Sequence, residues 1–576
     1  MPDPLVIVSN RLPVTIKKSA AGLLEVTPSN GGLATAIASL PAATSRLWIG
    51  WPGIASDHLT AADQRSITEQ LAKLDCVPIF LTQQQITQYY EGFANGALWP
   101  LFHYLPGYSQ HHDAEWQAYR SVNELFAHHV SKHASDRSTI WIHDYHLMLL
   151  PSLLRRQHPG ASIGFFLHTP FPSYEMFRQL PHRKDLLLGL LGADLVGFHI
   201  YDYAVHFAHS VQRLLGYESS ESRINLRDRI VRYDAFPIGI NYELFATAHQ
   251  QPAVKAEMDR LRKHYGDTKI ILSMDRLDYS KGILNRLEAY ATFLERNPQH
   301  HNLVSLAMVA IPSRTDIPAY AQLRDQVDQA VSRINGRFGT VEWTPISYQY
   351  KNLPFEQIAA LYAESAIALI TPLRDGMNLV AKEFVATKQT QPGTLILSEM
   401  AGAADELPEA LRINPNDRAA MVRAIERALS TPPTQQRKAL RIMQNRISRY
   451  DVRRWAEDFL QELSDAHDHR SIAAVPLLDA SRRAQLVADF RRAKRRLIIL
   501  DYDGVLAELV STPEPDAAKP TPERKQVLTQ LAAQPDVTAA IISGRTRDAL
   551  EDYFGDTTLN LSAEHGAWYK EQGSWQ

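Results

Sequence analysis

Short apolar runs alternate with amphipathic helical stretches along nearly the whole chain, which predicts an α/β protein built on parallel sheets. Two further observations divide it. At 576 residues the chain is too long for a single core and predicts about three domains. One series of strands ends near Phe236-Pro-Ile-Gly-Ile-Asn241 and another begins beyond it, while a polar stretch from Ser464 precedes a third, shorter series. The expected bounds are 1–240, 241–463, a linker over 464–491, and a partial α/β unit over 492–576.

In the first series the apolar runs Leu5–Val8, Ser45–Trp48, Val77–Leu81, Thr139–Ile142, Ile163–Leu167, Leu195–Phe198 and Val231–Phe236 read as strands. In the second, Lys269–Met274, Val304–Ile311, Gly339–Trp343, Ile367–Ile370 and Thr394–Ser398 do the same, followed by helical periodicity from Arg418 to about Leu463. The third opens with Leu497-Ile-Ile-Leu500.

Bulk properties exclude several classes. A formal net charge of −2 gives no electrostatic case for nucleic acid or an anionic membrane surface. The most apolar long stretch, Leu186–Phe198, is broken by Gly189, Gly192 and Asp194 and is too short to cross a bilayer. A single cysteine, Cys76, rules out an internal disulfide framework and fits a reducing, cytoplasmic setting. Because Leu5-Val-Ile-Val8 already reads as a first strand, no leader is expected.

The stretch Thr371-Pro-Leu-Arg-Asp-Gly-Met-Asn-Leu-Val-Ala-Lys-Glu383 carries the most chemistry. A buried strand runs into a tight turn at Asp375-Gly376, and a helix opens at about Asn378. Gly376 permits a sharp turn and close backbone approach to a ligand. The N–H groups of Met377, Asn378 and Leu379 head the helix, a position that favours a phosphate or diphosphate. Glu383 lies one helical turn beyond Leu379 and could take two ribose hydroxyls. An acid pair at this spacing is by itself an ordinary strand–turn–helix with a capping Asp; the whole string is not.

Other strand ends carry polar groups where open α/β sheets bind ligands. Arg11 follows the first strand and could grip a phosphate bidentately. Gly31-Gly32 precedes the helical run Leu33–Leu40, although a Gly-Gly pair alone is usually just a turn. Asp144 and His168 each stand just past a strand; a lone His there is more often structural, but two such positions beside Arg11 favour a site. Arg276 and Lys281, on one strand-to-helix loop, could clamp a diphosphate and neutralise charge in the transition state. The aromatic segment Tyr89–Tyr104 is either sugar site or core. On these residues alone the chain is a two-domain α/β enzyme handling a diphosphate in a cleft, with the acceptor undetermined.

Residues 1 to about 463 resemble the trehalose-6-phosphate synthases, retaining glycosyltransferases with two Rossmann-like domains facing across a cleft (GT-B type). The strings VSNRLPV, SNGGLATAI, YYEGFANGALWPLFHY, WIHDYHLMLLP, IGFFLHTPFPS, DRLDYSKG, RINGRFG and TPLRDGMNLVAKEF carry the resemblance, in the family's order. It implies transfer of glucose from a nucleotide sugar, most commonly UDP-glucose, to glucose 6-phosphate. It further implies that Arg11 and Arg314 bind the acceptor phosphate, with Tyr90, Trp99 and Asp144 on the acceptor sugar. Gly32 would offer its backbone to the donor diphosphate, and Arg276 and Lys281 would stabilise that group as it leaves. His168 and Asp375 would hold the donor glucose, with Gly376, Met377, Asn378 and Leu379 contributing the turn and its main-chain contacts, and Glu383 binding the ribose. No cofactor or metal is implied for the synthase, whose route would be front-face attack without a carboxylate nucleophile.

Leu497-Ile-Ile-Leu-Asp-Tyr-Asp-Gly504 is a strand ending in D-x-D-G, expected to turn both carboxylates to one side and Tyr502 outward. With Ala539-Ala-Ile-Ile-Ser-Gly-Arg545 and Ser562-Ala-Glu-His-Gly566 it resembles the haloacid-dehalogenase-like trehalose-6-phosphate phosphatases. Asp501 would be the nucleophile, Asp503 the general acid/base and Ser543 a phosphoryl contact, with Mg²⁺ needed only if this domain works. The family's later motifs, a Lys and further acidic ligands, should lie beyond Gln576, so the segment reads as a truncated, inactive phosphatase.

Two rival readings stay open: a glucosylglycerol-phosphate synthase of the same fold, and a non-catalytic regulatory homologue. Intact Arg276, Lys281, Asp375 and Glu383 argue against the second. Nucleotide preference and homo-oligomerisation are not determined by the sequence.

Overall fold

The computed structural model describes residues 4–18, 24–28, 45–226, 228–314, 317–470, 480–507, 518–571 and 573–576. The chain forms two compact units, Met1–Val475 and Pro476–Gln576.

The first unit opens with strands β1 (Leu5–Arg11), β2 (Val14–Lys18), β3 (Leu24–Pro28), β4 (Arg46–Trp51), β5 (Cys76–Pro78) and β6 (Thr139–His143). They are followed by β7 (Ser162–Phe166), β8 (Leu195–Phe198), β9 (Ser219–Ser220), β10 (Arg223–Asn225) and β11 (Ile230–Ala235). β2 and β3 pair antiparallel by themselves. The rest form one sheet, β5-β4-β1-β6-β7-β8-β11-β10-β9, parallel from β5 to β11. A second sheet, β14-β13-β12-β15-β16-β17, is built from β12 (Lys269–Arg276), β13 (Val304–Ile311), β14 (Ile346–Tyr350), β15 (Ile367–Ile370), β16 (Thr394–Ser398) and β17 (Leu411–Ile413). All its pairings are parallel. Strand order reverses between β1 and β6 and again between β12 and β15, the crevices where such sheets bind ligands. These are two Rossmann-like domains, the GT-B arrangement.

The sequence placed a strand at Gly339–Trp343, and the structure moves it. The preceding helix runs to Phe338, Trp343 tucks into the core with its indole N–H on Val304 O at 2.9 Å, and the pairing strand is β14. The apolar character of Trp343 reflects core packing, not sheet pairing. The helical run Leu33–Leu40 and Gly31-Gly32 lie outside the described residues.

Helix Val452–His469 continues past Leu463, into the stretch read as linker, and returns to the first sheet. Phe459 stacks on Trp141 with centroids 4.7 Å apart. It fits because β7 has Gly164 there: a Cβ would lie 2.8 Å from the Phe459 ring. Farther along, buried Asp194 takes the helix's His467 and the C-cap residue Arg470 at 3.4 Å and Arg155 at 2.7 Å.

In the second unit, β18 (Arg496–Asp501), β19 (Val537–Ile542), β20 (Asn560–Ala563), β21 (Trp568–Glu571) and β22 (Ser574–Trp575) form a sheet in that order. β18 is an edge strand that leaves Leu497 and Ile499 exposed. Tyr502 is not outward as the alternation suggested. It is fully buried against Tyr553 and Phe554, with its hydroxyl donating to Ala518 O. A phenol at the end of an edge strand gains more by covering that small core than by facing water.

Candidate active site

The first sheet delivers three groups to its carboxyl edge. β1 ends at Arg11, exposed, its guanidinium 4.7 Å over the Trp51 ring. β6 leads into Asp144, held at φ 74°, a left-handed backbone that a non-glycine adopts at a cost. Its carboxylate accepts from the His168 backbone N–H at 3.2 Å, and burial raises its pKa to about 6. β7 leads to His168, whose Nε2 lies 3.1 Å from His143 Nδ1. Burial pushes His168 down to about 3, so the ring is neutral.

The aromatic segment contributes to both core and cleft. Ile86–Leu98 is a π-helix, a rare conformation associated with functional sites and one that no pattern in the sequence announced. Tyr89 and Phe93 enter the core, while Tyr90 stacks on His146 at 5.6 Å beside Trp51. Trp99 follows immediately and forms a platform: Arg314 lies 3.9 Å and Arg276 5.5 Å from its ring centroid.

From the second sheet, β12 ends at Arg276, which is exposed, and the next turn carries Asp278 and Lys281. Asp278 was not singled out from the sequence, yet it organises this side. It is wholly buried and accepts from Arg314 Nη1 at 2.7 Å, the Tyr320 hydroxyl at 2.9 Å and the Ser280 N–H at 2.9 Å. Burial would raise its pKa, but Arg314, Arg276 and Lys281 outweigh that and hold it well below the usual carboxylate range. Its position between Arg276 and Lys281 was the available signal: an acid among cations at a strand end. Arg314 also donates to the Tyr145 hydroxyl at 3.2 Å, tying both domains together at φ 47°.

β15 runs into the Asp375-Gly376 turn. Lys281 Nζ pairs with Asp375 Oδ2 at 2.6 Å, and Asn378 Nδ2 donates to the same oxygen at 3.0 Å. Burial opposes ionisation of Asp375, but Lys281 and Asn378 keep its pKa below the ordinary value. Asn378, at φ 74°, caps helix Leu379–Thr387 by accepting from Ala381 N–H. Gly376 is where the domains meet: a Cβ there would collide with the His168 carbonyl oxygen. Tyr203 secures the turn by donating to Asp375 O at 3.1 Å. Met377 is buried, and Glu383, on the helix, accepts from the Tyr362 hydroxyl at 2.8 Å while burial raises its pKa. Arg276, Lys281, His168, Asp375, Trp99, Asp144 and Arg314 thus gather at the facing sheet edges. Gly32 lies outside the described residues.

In the second unit Asp501 is exposed at the end of β18, and Ser543 Oγ donates to Asp503 at 3.3 Å. The Mg²⁺ implied for a phosphatase does not fit this donor set. Arg545 donates to both Asp503 oxygens, at 2.6–3.1 Å, so this carboxylate is already paired with a cation. Among the described residues no group of three or more His, Cys, Asp or Glu side chains gathers to hold a metal ion. Among the same residues no helix is long and apolar enough to cross a membrane.

Residues 3–465 match glycosyltransferase family 20, and residues 499–576 match trehalose-phosphatase. A bifunctional trehalose-6-phosphate synthase/phosphatase of Thermoproteus tenax is 43% identical over 99% of this chain and 78% of its own length. A UDP-forming α,α-trehalose-phosphate synthase from Burkholderia xenovorans, solved in complex with glucose-6-phosphate, superposes with TM-score 0.72 at 32% identity, covering 80% of this chain and all of that one. An E. coli trehalose-6-phosphate structure bound with UDP-2-fluoro glucose gives TM-score 0.72 at 34% identity, covering 80% and 99%. With both Rossmann-like domains matched from end to end, the chain belongs to glycosyltransferase family 20 and carries a trehalose-phosphatase segment behind them.

Proposed function

We propose that this chain transfers glucose, with retention, from UDP-glucose to glucose 6-phosphate, forming α,α-trehalose 6-phosphate. The observation that carries this reading is the meeting of Lys281, His168 and Asp375 at the Gly376 turn, beside a Trp99 platform that holds Arg276 and Arg314. The relatives whose names state this activity, and the neighbours holding glucose-6-phosphate and a UDP-sugar analogue, support it.

In this reading Arg11 and Arg314 hold the acceptor phosphate, Tyr90 and Trp99 line its sugar, and Asp144 takes a hydroxyl. His168 and Asp375 hold the donor glucose, and Glu383 binds the ribose. Gly32 and the amides following Gly376 meet the diphosphate. The bond from the anomeric carbon to the diphosphate oxygen breaks, and the acceptor's anomeric hydroxyl oxygen bonds to the same face of that carbon. The hydroxyl proton passes to the departing diphosphate. Arg276 and Lys281 neutralise the charge that develops there, the role filled by a metal ion in other transferases.

Incubating the purified chain with UDP-, GDP- and ADP-glucose, and with glucose 6-phosphate or glycerol 3-phosphate, tests this directly. Product mass and linkage should identify α,α-trehalose 6-phosphate; a glycerol-linked product overturns the acceptor assignment.

A further inference from the structure

His168, proposed above as a donor-sugar contact, has a partner that the reaction scheme does not use. His143 closes β6, is fully buried, and places Nδ1 3.1 Å from His168 Nε2. Its other nitrogen, Nε2, is also buried and has no hydrogen-bond partner. The His199 ring meets the His168 ring edge to face, with 5.5 Å between ring centroids. Burial keeps His143 and His168 well below the ordinary imidazole range, so each ring is neutral.

A neutral imidazole carries one N–H and one lone pair. A buried N–H with no acceptor is rarer and costlier than a buried acceptor with no donor. The His143 proton therefore belongs on Nδ1, where His168 accepts it, and the unpartnered Nε2 carries only a lone pair. His168 Nε2 is then occupied as an acceptor, which leaves the single His168 proton on Nδ1. Free imidazole side chains prefer the opposite tautomer, so the protein must impose this one.

We infer that His143 is a positioning residue that holds His168 in the Nδ1–H tautomer, so that His168 offers an N–H donor to a hydroxyl oxygen of the donor sugar. The tautomer follows from the His143 geometry and from the burial that keeps both rings neutral; its use rests on the reading of His168 given under Proposed function.

Histidine-selective ¹⁵N labelling reads tautomers from the nitrogen shifts and long-range couplings, with the His168 signals assigned by their loss in His168→Gln. The wild-type chain should show His168 protonated at Nδ1, and His143→Leu should return it to Nε2–H. In kinetics, His143→Leu should lower turnover by about tenfold, the value of one hydrogen bond at the upper end of its usual range, and leave acceptor saturation unchanged. His143→Asn, whose side-chain amide can donate from the Nδ1 position, should recover most of that loss. An Nε2–H spectrum for wild-type His168, or undiminished turnover in His143→Leu, overturns the inference. If His143→Leu does not fold, the wild-type spectrum still decides the tautomer. Normal turnover in His168→Ala would instead remove the donor-contact reading, and with it the functional half of this inference, whatever the spectrum shows.

Discussion

Lys281 Nζ and Asp375 Oδ2 stand 2.6 Å apart although 94 residues separate them in the chain, and neither side chain is more than slightly exposed. The cation assigned to the leaving diphosphate is thus also the counter-ion of the acid assigned to the donor glucose. The two roles are joined before any ligand arrives.

Arg276→Ala and Lys281→Ala should therefore differ in stability while agreeing in kinetics. Each should cost about 2–4 kcal/mol of transition-state stabilisation, read as lost turnover. Arg276 is exposed, and Asp278 keeps Arg314 when it is removed, so its loss should lower thermal stability much less than loss of Lys281. Lys281→Ala abandons a buried Asp375 and should also lower the melting temperature, since breaking one side of a buried pair costs roughly 3–5 kcal/mol. Near-normal turnover in either variant would remove the leaving-group assignment.

The two acceptor arginines should separate in the same way. Arg11→Ala and Arg314→Ala should each weaken glucose 6-phosphate saturation by about 2–5 kcal/mol. Only Arg314→Ala should also destabilise the fold, because it leaves Asp278 wholly buried without its ion-pair partner. An unchanged acceptor KM with a raised donor KM would put these arginines on the wrong ligand.

Asp144, with its pKa raised to about 6 by burial, predicts a pH signature. Between the unfolded value of ~4 and about 6 the folded state holds more of this proton than the unfolded state, so this group's contribution to stability falls as pH rises through that window. Acceptor binding should run the other way, weakening as pH falls through about 6 and the carboxylate is lost. The acceptor phosphate titrates in the same range, but it does so in wild type and Asp144→Asn alike. The difference between their acceptor KM profiles should therefore inflect near 6; identical profile shapes would deny Asp144 this role.

Synthase activity should survive thorough chelation, because Arg276, Lys281 and main-chain N–H groups are assigned the charge that a metal would otherwise neutralise. Complete loss restored by Mg²⁺ or Mn²⁺ would show that a metal carries part of that charge.

The phosphatase segment should release little or no trehalose from trehalose 6-phosphate. Arg545 occupies both oxygens of Asp503, and no acid cluster for a metal forms among the described residues. Measurable release abolished by Asp501→Asn would show that this arrangement opens to a working site.

Local patterning carried a large share of this outcome. Alternating apolar and amphipathic runs announced the parallel sheets, because burying a strand on both faces requires a continuous apolar run. Arg11, Asp144, His168, Arg276 and Asp375 were legible as candidate site residues for a related reason: each follows an apolar run, and the carboxyl edge of an open sheet is where ligands bind. The strand placed at Gly339–Trp343 shows where that logic fails, since a buried indole looks the same in sequence whether it pairs in a sheet or caps a core.

What only the tertiary structure decided is which of these groups meet. Arg314 reaches Tyr145 across 169 residues, the His168 carbonyl excludes any side chain at Gly376, and Asp278 acquires its importance only when Arg314 and Tyr320 fold over it. The π-helix that precedes Trp99 left no periodic trace either. Periodicity records the face a residue turns toward its own element's neighbours. An ion pair or a tautomer is set by a few ångströms between elements distant in the chain, and those distances exist only after the two sheets have closed on each other.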